Sequence, residues 1–214
     1  MMLVAFFLPI VLYVGWSWGE WPRSSMSFYY YSGRAQDVFV GALCAIGVFL
    51  VLYRPLNTIE SRWLTVAGFA ALAIALFPMN KDGDCSPKDT WSVHGVSAVI
   101  FFGAITFVCL RFPATEKPWR RLVSRWVCAL VMGSCIVSAL AYNYAVPYLF
   151  GPGAKATLCN YSIIFWIELF AVWAFTLYWL LKSLDEERTL KEILAHIPAV
   201  ALFWQLPGIR NLRN

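Results

Sequence analysis

Along the chain, six apolar runs of roughly 17–25 residues alternate with short polar breaks, the length at which a helix spans the ~30 Å hydrocarbon core of a bilayer. The runs predict helices over 2–18, 37–53, 62–79, 91–111, 124–148 and 160–182. Their ends carry breakers: Arg54-Pro55, Phe77-Pro78, Arg111-Phe112-Pro113 and Gly151-Pro152-Gly153. The first run has no basic start and no small-residue cleavage site, so it reads as a retained helix and not as a signal peptide. The fold class that follows is all-α: an integral membrane six-helix bundle over residues 1–183 with a cytoplasmic tail over 184–214. In that tail Leu190, Ile193, Leu194 and Ile197 recur at i, i+3, i+4 and i+7 until Pro198. This is the pattern of an amphipathic helix, lying on the inner membrane surface or packed against the cytoplasmic loops.

Composition agrees with the pattern. Hydrophobic residues make up 60% and charged ones 14%, against about 25% charged in soluble domains. Six spans use nearly the whole length and leave no separate soluble domain. The 11 Trp, 10 Tyr and 16 Phe suit aromatic belts at the two membrane interfaces. A net charge of +5 would suit nucleic acid, but the positive residues sit beside membrane ends, where orientation and anionic headgroups explain them better. Nucleic acid is therefore not an expected partner.

Charge also predicts orientation. Arg54, Arg62, Arg111, Lys117, Arg120, Arg121, Arg125, Lys182, Arg188, Lys191, Arg210 and Arg213 fall on one side of the bundle. Only Arg23, Arg34, Lys81, Lys88 and Lys155 fall on the other. The positive-inside rule puts the first set, and both termini, in the cytoplasm. Loops over 19–36, 80–90 and 149–159 then face outward, and their brevity suits a bacterial inner membrane. Helices 2, 4 and 6 point their positive N-termini outward, toward the layer of Arg34, Lys81, Lys88 and Lys155, which suits an anionic headgroup. Ala67, Ala71 and Ala75 form a small-residue stripe on helix 3, and Ser134 with Ser138 a second on helix 5, both read as packing faces. Of the six cysteines only Cys85 and Cys159 fall in outward loops, so a disulfide between them is open, whereas Cys44, Cys109, Cys128 and Cys135 read as buried thiols.

The residues that could carry chemistry gather on the outer side. Glu168 is the one acid well inside a span, which marks either a ligand or proton site or a protonated carboxyl tied to a neighbouring helix. His94 opens helix 4, as a general base, a headgroup contact or a partner for a loop carbonyl. Asp37 reads as the N-cap of helix 2, as an ion-pair partner of Arg34, or with Arg34 as part of an outer pocket. Asn80-x-Asp82-x-Asp84 opens like a calcium loop but lacks the glycine and glutamate that complete one, so no metal is expected. There is no P-loop, G-x-S-x-G or C-x-x-C, and no lysine deep in a span for a retinal Schiff base. The only histidines, His94 and His196, fall on opposite sides, so a three-histidine zinc site cannot form. No cofactor is expected.

Ser25-Met26-Ser27-Phe28-Tyr29 after helix 1, Asp37-Val38-Phe39-Val40-Gly41 opening helix 2, Gly68, Val93-His94-Gly95-Val96-Ser97-Ala98 and Ile167-Glu168-Leu169 follow one another in an order similar to a known superfamily. Over residues 10–185 the chain resembles the six-helix superfamily of the DRAM (damage-regulated autophagy modulator), Frag and Sfk-type proteins and their uncharacterised bacterial branch. The Tyr29–Tyr31 triplet and the acidic second loop depart from the eukaryotic pattern. The resemblance implies a role in membrane-lipid biology, where members are tied to GPI-anchor remodelling, phosphoinositide kinase anchoring and lipid distribution between leaflets.

The leading reading is an outward pocket for a lipid headgroup formed by Arg34, Asp37, His94, Asn143, Glu168 and Tyr30, with Arg34 on the phosphate and Tyr29–Tyr31 at the interface. A second reading is an intramembrane lipid acyltransferase or hydrolase. His94 is then the base, oriented by Asp37 or Asp89, and Ser27 or Ser92 the nucleophile. A third is a scaffold that recruits a cytoplasmic protein through Arg120, Arg121 and the tail. Membrane lipids are the expected partners, and a homo-oligomer is left open.

Overall fold

A computed structural model describes residues 1–17, 19, 21–79, 92–114 and 117–196, with the backbone alone at 152, 156 and 186–196. All regular structure among the described residues is helical. The elements are α1 (Met2–Trp16), a 3₁₀ turn (Met26–Tyr31), α2 (Arg34–Leu52), α3 (Thr58–Leu76), α4 (Val93–Arg111), α5 (Pro118–Phe150), α6 (Pro152–Asn160) and α7 (Ile163–His196). Five of these, α2, α3, α4, α5 and α7, are long and apolar enough to cross a membrane. The chain is an integral membrane protein. Helix α1 is apolar but has 15 residues, about 22 Å at 1.5 Å each, short of the ~30 Å that a full span covers.

These five and α1 close a ring: α1 packs on α2, α2 on α3, α3 on α4, α4 on α5, α5 on α7, and α7 back on α1. Inside lies an apolar core that includes Leu12, Leu50, Leu64, Ile105, Met132 and Phe175. Outside stand exposed apolar side chains such as Leu3, Phe69, Leu130, Val137 and Phe170. A surface that apolar is soluble in lipid, not in water. At the α2–α3 crossing Gly47 and Gly68 meet backbone to backbone. A Cβ on Gly68 would lie 2.7 Å from the Gly47 carbonyl oxygen, and one on Gly47 would lie 2.9 Å from the Gly68 carbonyl oxygen. The Ala67, Ala71 and Ala75 stripe is buried in the same helix.

Several boundaries differ from those the pattern predicts. Helix α2 begins at Arg34 with Gly33 (φ 56°) as its N-cap, so Asp37 lies in the first turn, where it meets the positive end of the helix. No ion pair joins Asp37 to Arg34 among the described residues. The fifth run is one helix from 118 to 150 that widens into π turns at Val123–Val127 and Ala141–Ala145. The segment expected as a third outward loop holds α6 instead, and the chain breaks at Tyr161–Ser162 before α7 opens. Ser162 takes a left-handed φ of 53°, fixed by its Oγ donating to the Pro22 carbonyl at 2.6 Å. Helix α7 runs without a break through residues 183–185 to His196, so the sixth span and the start of the tail are one helix. The amphipathic face expected of the tail lies outside the described side chains. Ser134 and Ser138 point out of the ring because Cys128, Ala129 and Met132 hold the inner face of that helix.

At one end of the ring Lys182 Nζ donates to Glu60 Oε1 and, at 3.3 Å, to the Phe112 carbonyl, and Tyr178 Oη donates to the same carbonyl at 2.8 Å. Arg120 and Asp185 pair beside them at 3.0 Å. Arg120 is therefore used within the bundle. At the other end Lys155 is buried in α6 with its ammonium 5.6 Å from the centre of the Tyr142 ring. Burial pushes that ammonium down from its ordinary 10.5.

Candidate functional site

Between α1 and α2 the chain is folded tightly over the end of the ring. Ser25 caps the 3₁₀ turn by accepting from the Phe28 N–H at 3.2 Å. The Ser24 carbonyl accepts from the Phe165 N–H at 2.9 Å, which ties the segment to α7. Tyr29 is wholly buried and its Oη bonds Ser17 Oγ at 2.7 Å, so it does not line the membrane interface. Tyr31 Oη donates to the Met79 carbonyl just beyond α3. The cap and these three ties, each to a different part of the ring, leave Ser27 little freedom.

Ser27 and His94 are each 6% exposed, and Ser27 Oγ lies 2.7 Å from His94 Nε2. The other ring nitrogen faces two carbonyls at the end of α3, Phe77 at 3.0 Å and Ile74 at 3.2 Å. Carbonyl oxygens only accept, so Nδ1 carries the ring proton and Nε2 of the neutral imidazole is left as an acceptor. The Ser27 hydroxyl therefore donates to His94. Glu168 Oε1 stands 3.5 Å from the same Oγ, too far to compete for its one proton against a 2.7 Å bond. Glu168 Oε2 accepts from the Met26 N–H at 2.6 Å, which fixes the residue before Ser27.

Ser27, His94 and Glu168 form the polar end of a cavity inside the ring. Its walls are apolar: Ala5 and Leu8 of α1, Phe39, Leu43 and Ile46 of α2, Ile74 of α3, Ala98, Phe101 and Phe102 of α4, Val172 and Phe175 of α7. The empty space, counting the solvent at its open mouth, is about 580 Å³. From Phe39 to Ile46, and from Glu168 to Phe175, the walls run seven residues along a helix, about 10 Å at 1.5 Å each. Pro9 lies within α1. A proline has no N–H to give the carbonyl four residues back, here that of Ala5, a residue of the cavity wall.

The family described as "Protein of unknown function (DUF998)" matches residues 2–181. The chain belongs to the DUF998 family. The matched stretch includes Ser27, His94 and Glu168 and every wall of the cavity. Kinship with the DRAM, Frag and Sfk proteins is not established by this match. No curated protein matches the chain, and no solved structure does.

Among the residues read from sequence as the pocket of this DUF998 protein, His94 and Glu168 come together. Arg34 and Asp37 stand exposed on the first turn of α2 and do not line the cavity. Asn143 gives its Nδ2 to the Ala139 carbonyl of its own helix at 2.9 Å. Tyr30 packs edge-on against Tyr31. The role of orienting His94, read as that of Asp37 or Asp89, falls to the Ile74 and Phe77 carbonyls. Ser92 caps α4 by accepting from the Gly95 N–H at 3.0 Å, which leaves Ser27 as the hydroxyl on His94. Backbone acceptors carry no residue signature, so nothing in the sequence could have assigned Ile74 or Phe77. Asp89, Lys81, Lys88 and the Asn80–Asp84 segment lie outside the described residues, as does Cys85. The free thiols among the described residues are Cys44, Cys109, Cys128 and Cys135, and no disulfide lies between two described residues. No cluster of three metal-ligating side chains occurs among the described residues.

Proposed function

We propose that this DUF998 protein binds a membrane lipid, with an acyl chain in the apolar cavity and the polar linkage of the lipid against Ser27, His94 and Glu168. The carrying observation is the shape of the chemistry: a cavity walled by Leu43, Ile46, Phe101 and Phe175 that ends on three polar side chains. A water-soluble ligand would leave those walls wetted, whereas an acyl chain covers them and gains about 0.8 kcal/mol per buried methylene. The DRAM, Frag and Sfk resemblance supports the same reading and favours a role in lipid homeostasis. Helix α1 completes the ring and serves as a sixth span, with the bilayer thinned locally to its shorter length. The excess of Lys and Arg at the Lys182 end of the ring favours cytoplasmic termini and a bacterial inner membrane, with the Ser27 end outward. A Cys85–Cys159 bond would then tie two outward segments together.

Mass spectrometry of the intact protein released from detergent tests the proposal. Wild type should carry a lipid of defined mass. Leu43→Trp, at a wall residue 8% exposed, should lose it. Val48→Trp, at a residue 48% exposed on the same helix, should keep it. Equal retention by both variants would reject the cavity as the binding place.

A further inference from the structure

We infer that Ser27 is a nucleophile with His94 as its general base, and that the site moves the acyl group of a membrane-lipid ester onto an acceptor hydroxyl. The inference rests on the lipid reading above, because the cavity must deliver the ester to Ser27. Three observations carry it. First, the hydroxyl and the imidazole Nε2 are 2.7 Å apart, the reach of a nucleophile and its base. Second, the Phe77 and Ile74 carbonyls accept from Nδ1 and fix the tautomer that leaves Nε2 basic, the orienting task that a carboxylate performs in the triad enzymes. Third, Ser27 and His94 both line a cavity whose remaining walls are almost wholly apolar. A serine–histidine bond that only pinned the 3₁₀ turn would gain nothing from an open cavity beside it. The turn is already held by Ser24, Tyr29 and Tyr31.

The chemistry balances with these groups and one acceptor. Ser27 Oγ bonds to the ester carbonyl carbon as its proton passes to His94 Nε2. The carbonyl C–O bond to the lipid alcohol then breaks, and the departing oxygen takes the proton from Nε2. The acyl group remains on Ser27 Oγ. An incoming hydroxyl, of water or of a second alcohol, gives its proton to Nε2 and its oxygen to the acyl carbon, and Ser27 leaves and recovers the proton. No oxidant, reductant or metal enters the balance. Glu168 acts as a positioning residue, since its Oε2 accepts from the Met26 N–H and so holds the backbone on which Ser27 sits.

The test is covalent labelling of the full-length protein in lipid nanodiscs with a long-chain alkyl fluorophosphonate, read by peptide mapping, alongside the intact-mass lipid measurement. The expected result is one adduct, on Ser27, absent in Ser27→Ala and formed about 100-fold more slowly in His94→Asn, the scale of a lost general base. The wild-type map decides even where a variant does not fold. A wild-type protein that retains its lipid and takes no adduct on Ser27 overturns the nucleophile and leaves the lipid reading standing. An adduct on Ser27 in a protein that holds no lipid overturns the lipid ester as substrate. With neither adduct nor lipid, both readings fall.

Discussion

Glu168 offers the sharpest separation between a hydrogen-bond role and a charge role. Its Oε2 accepts from the Met26 N–H at 2.6 Å, at the start of the turn that carries Ser27. Glu168→Leu removes that acceptor and leaves a largely enclosed backbone N–H without a partner, which costs about 1–3 kcal/mol. Glu168→Gln keeps a carbonyl oxygen in the same place and removes only the capacity to ionise, so it should cost less than about 1 kcal/mol. For a chain of this size 1 kcal/mol moves the unfolding midpoint by about 2–4 °C. Thermal unfolding in one detergent should therefore drop by about 2–12 °C for Glu168→Leu, and by less than about 4 °C for Glu168→Gln. A Gln variant as damaged as the Leu variant would mean that the negative charge holds the site, and the acceptor argument would be refuted. No shift in either variant would mean that the Met26 contact does not form.

Other predictions address the frame around the site. Gly68→Ala drives a methyl onto the Gly47 carbonyl and the Val51 backbone nitrogen, and should destabilise the protein by about 1–3 kcal/mol in the same melts, as overpacking does; an unchanged midpoint would show that α2 and α3 cross elsewhere. Lys182→Met strands Glu60 in a buried place and should cost about 3–5 kcal/mol, while the double change Glu60→Leu with Lys182→Met should recover most of it; no recovery would rule out a direct pair. Lys155 has a lowered pKa in the folded chain, so the folded state binds fewer protons there than the unfolded chain. Stability should therefore rise as pH climbs from that lowered value toward 10.5. Lys155→Met should remove that rise from a stability–pH curve, and a curve that keeps its slope would contradict the burial argument. Non-reducing peptide mapping should find Cys85 linked to Cys159, and free thiols at both would end that proposal.

The helices were legible because lipid demands one thing of a span, an apolar surface long enough to cover the backbone, and that demand is written residue by residue. The breakers Arg54-Pro55 and Gly151-Pro152-Gly153 fall where α2 and α5 end. Less legible was any feature set by packing between elements. The 3₁₀ turn at Met26–Tyr31 reads as an aromatic loop, and only its ties to Ser17, Met79 and Phe165 turn it inward. Asp37 and Arg34 attract notice as charges, yet they sit on the exposed face of α2 because Ala35 and Phe39 take the inner one. Glu168 was recognisable since a carboxyl in a span needs a partner, but the partner, a backbone N–H, is invisible in a sequence. His94 stands out for its rarity, while the start of α4 at Val93 and the ending of α3 at Leu76 decide what it touches.

The lipid and acyl-transfer readings both need an apolar cavity that ends on a joined Ser27–His94 pair. An electron cryo-microscopy map of the protein in nanodiscs made from its own membrane lipids reaches that claim directly. It should show elongated density between Leu43 and Phe101, ending within hydrogen-bond distance of Ser27 Oγ and His94 Nε2. A collapsed cavity, or Ser27 turned away from His94 with the space between them filled by other side chains, would contradict it.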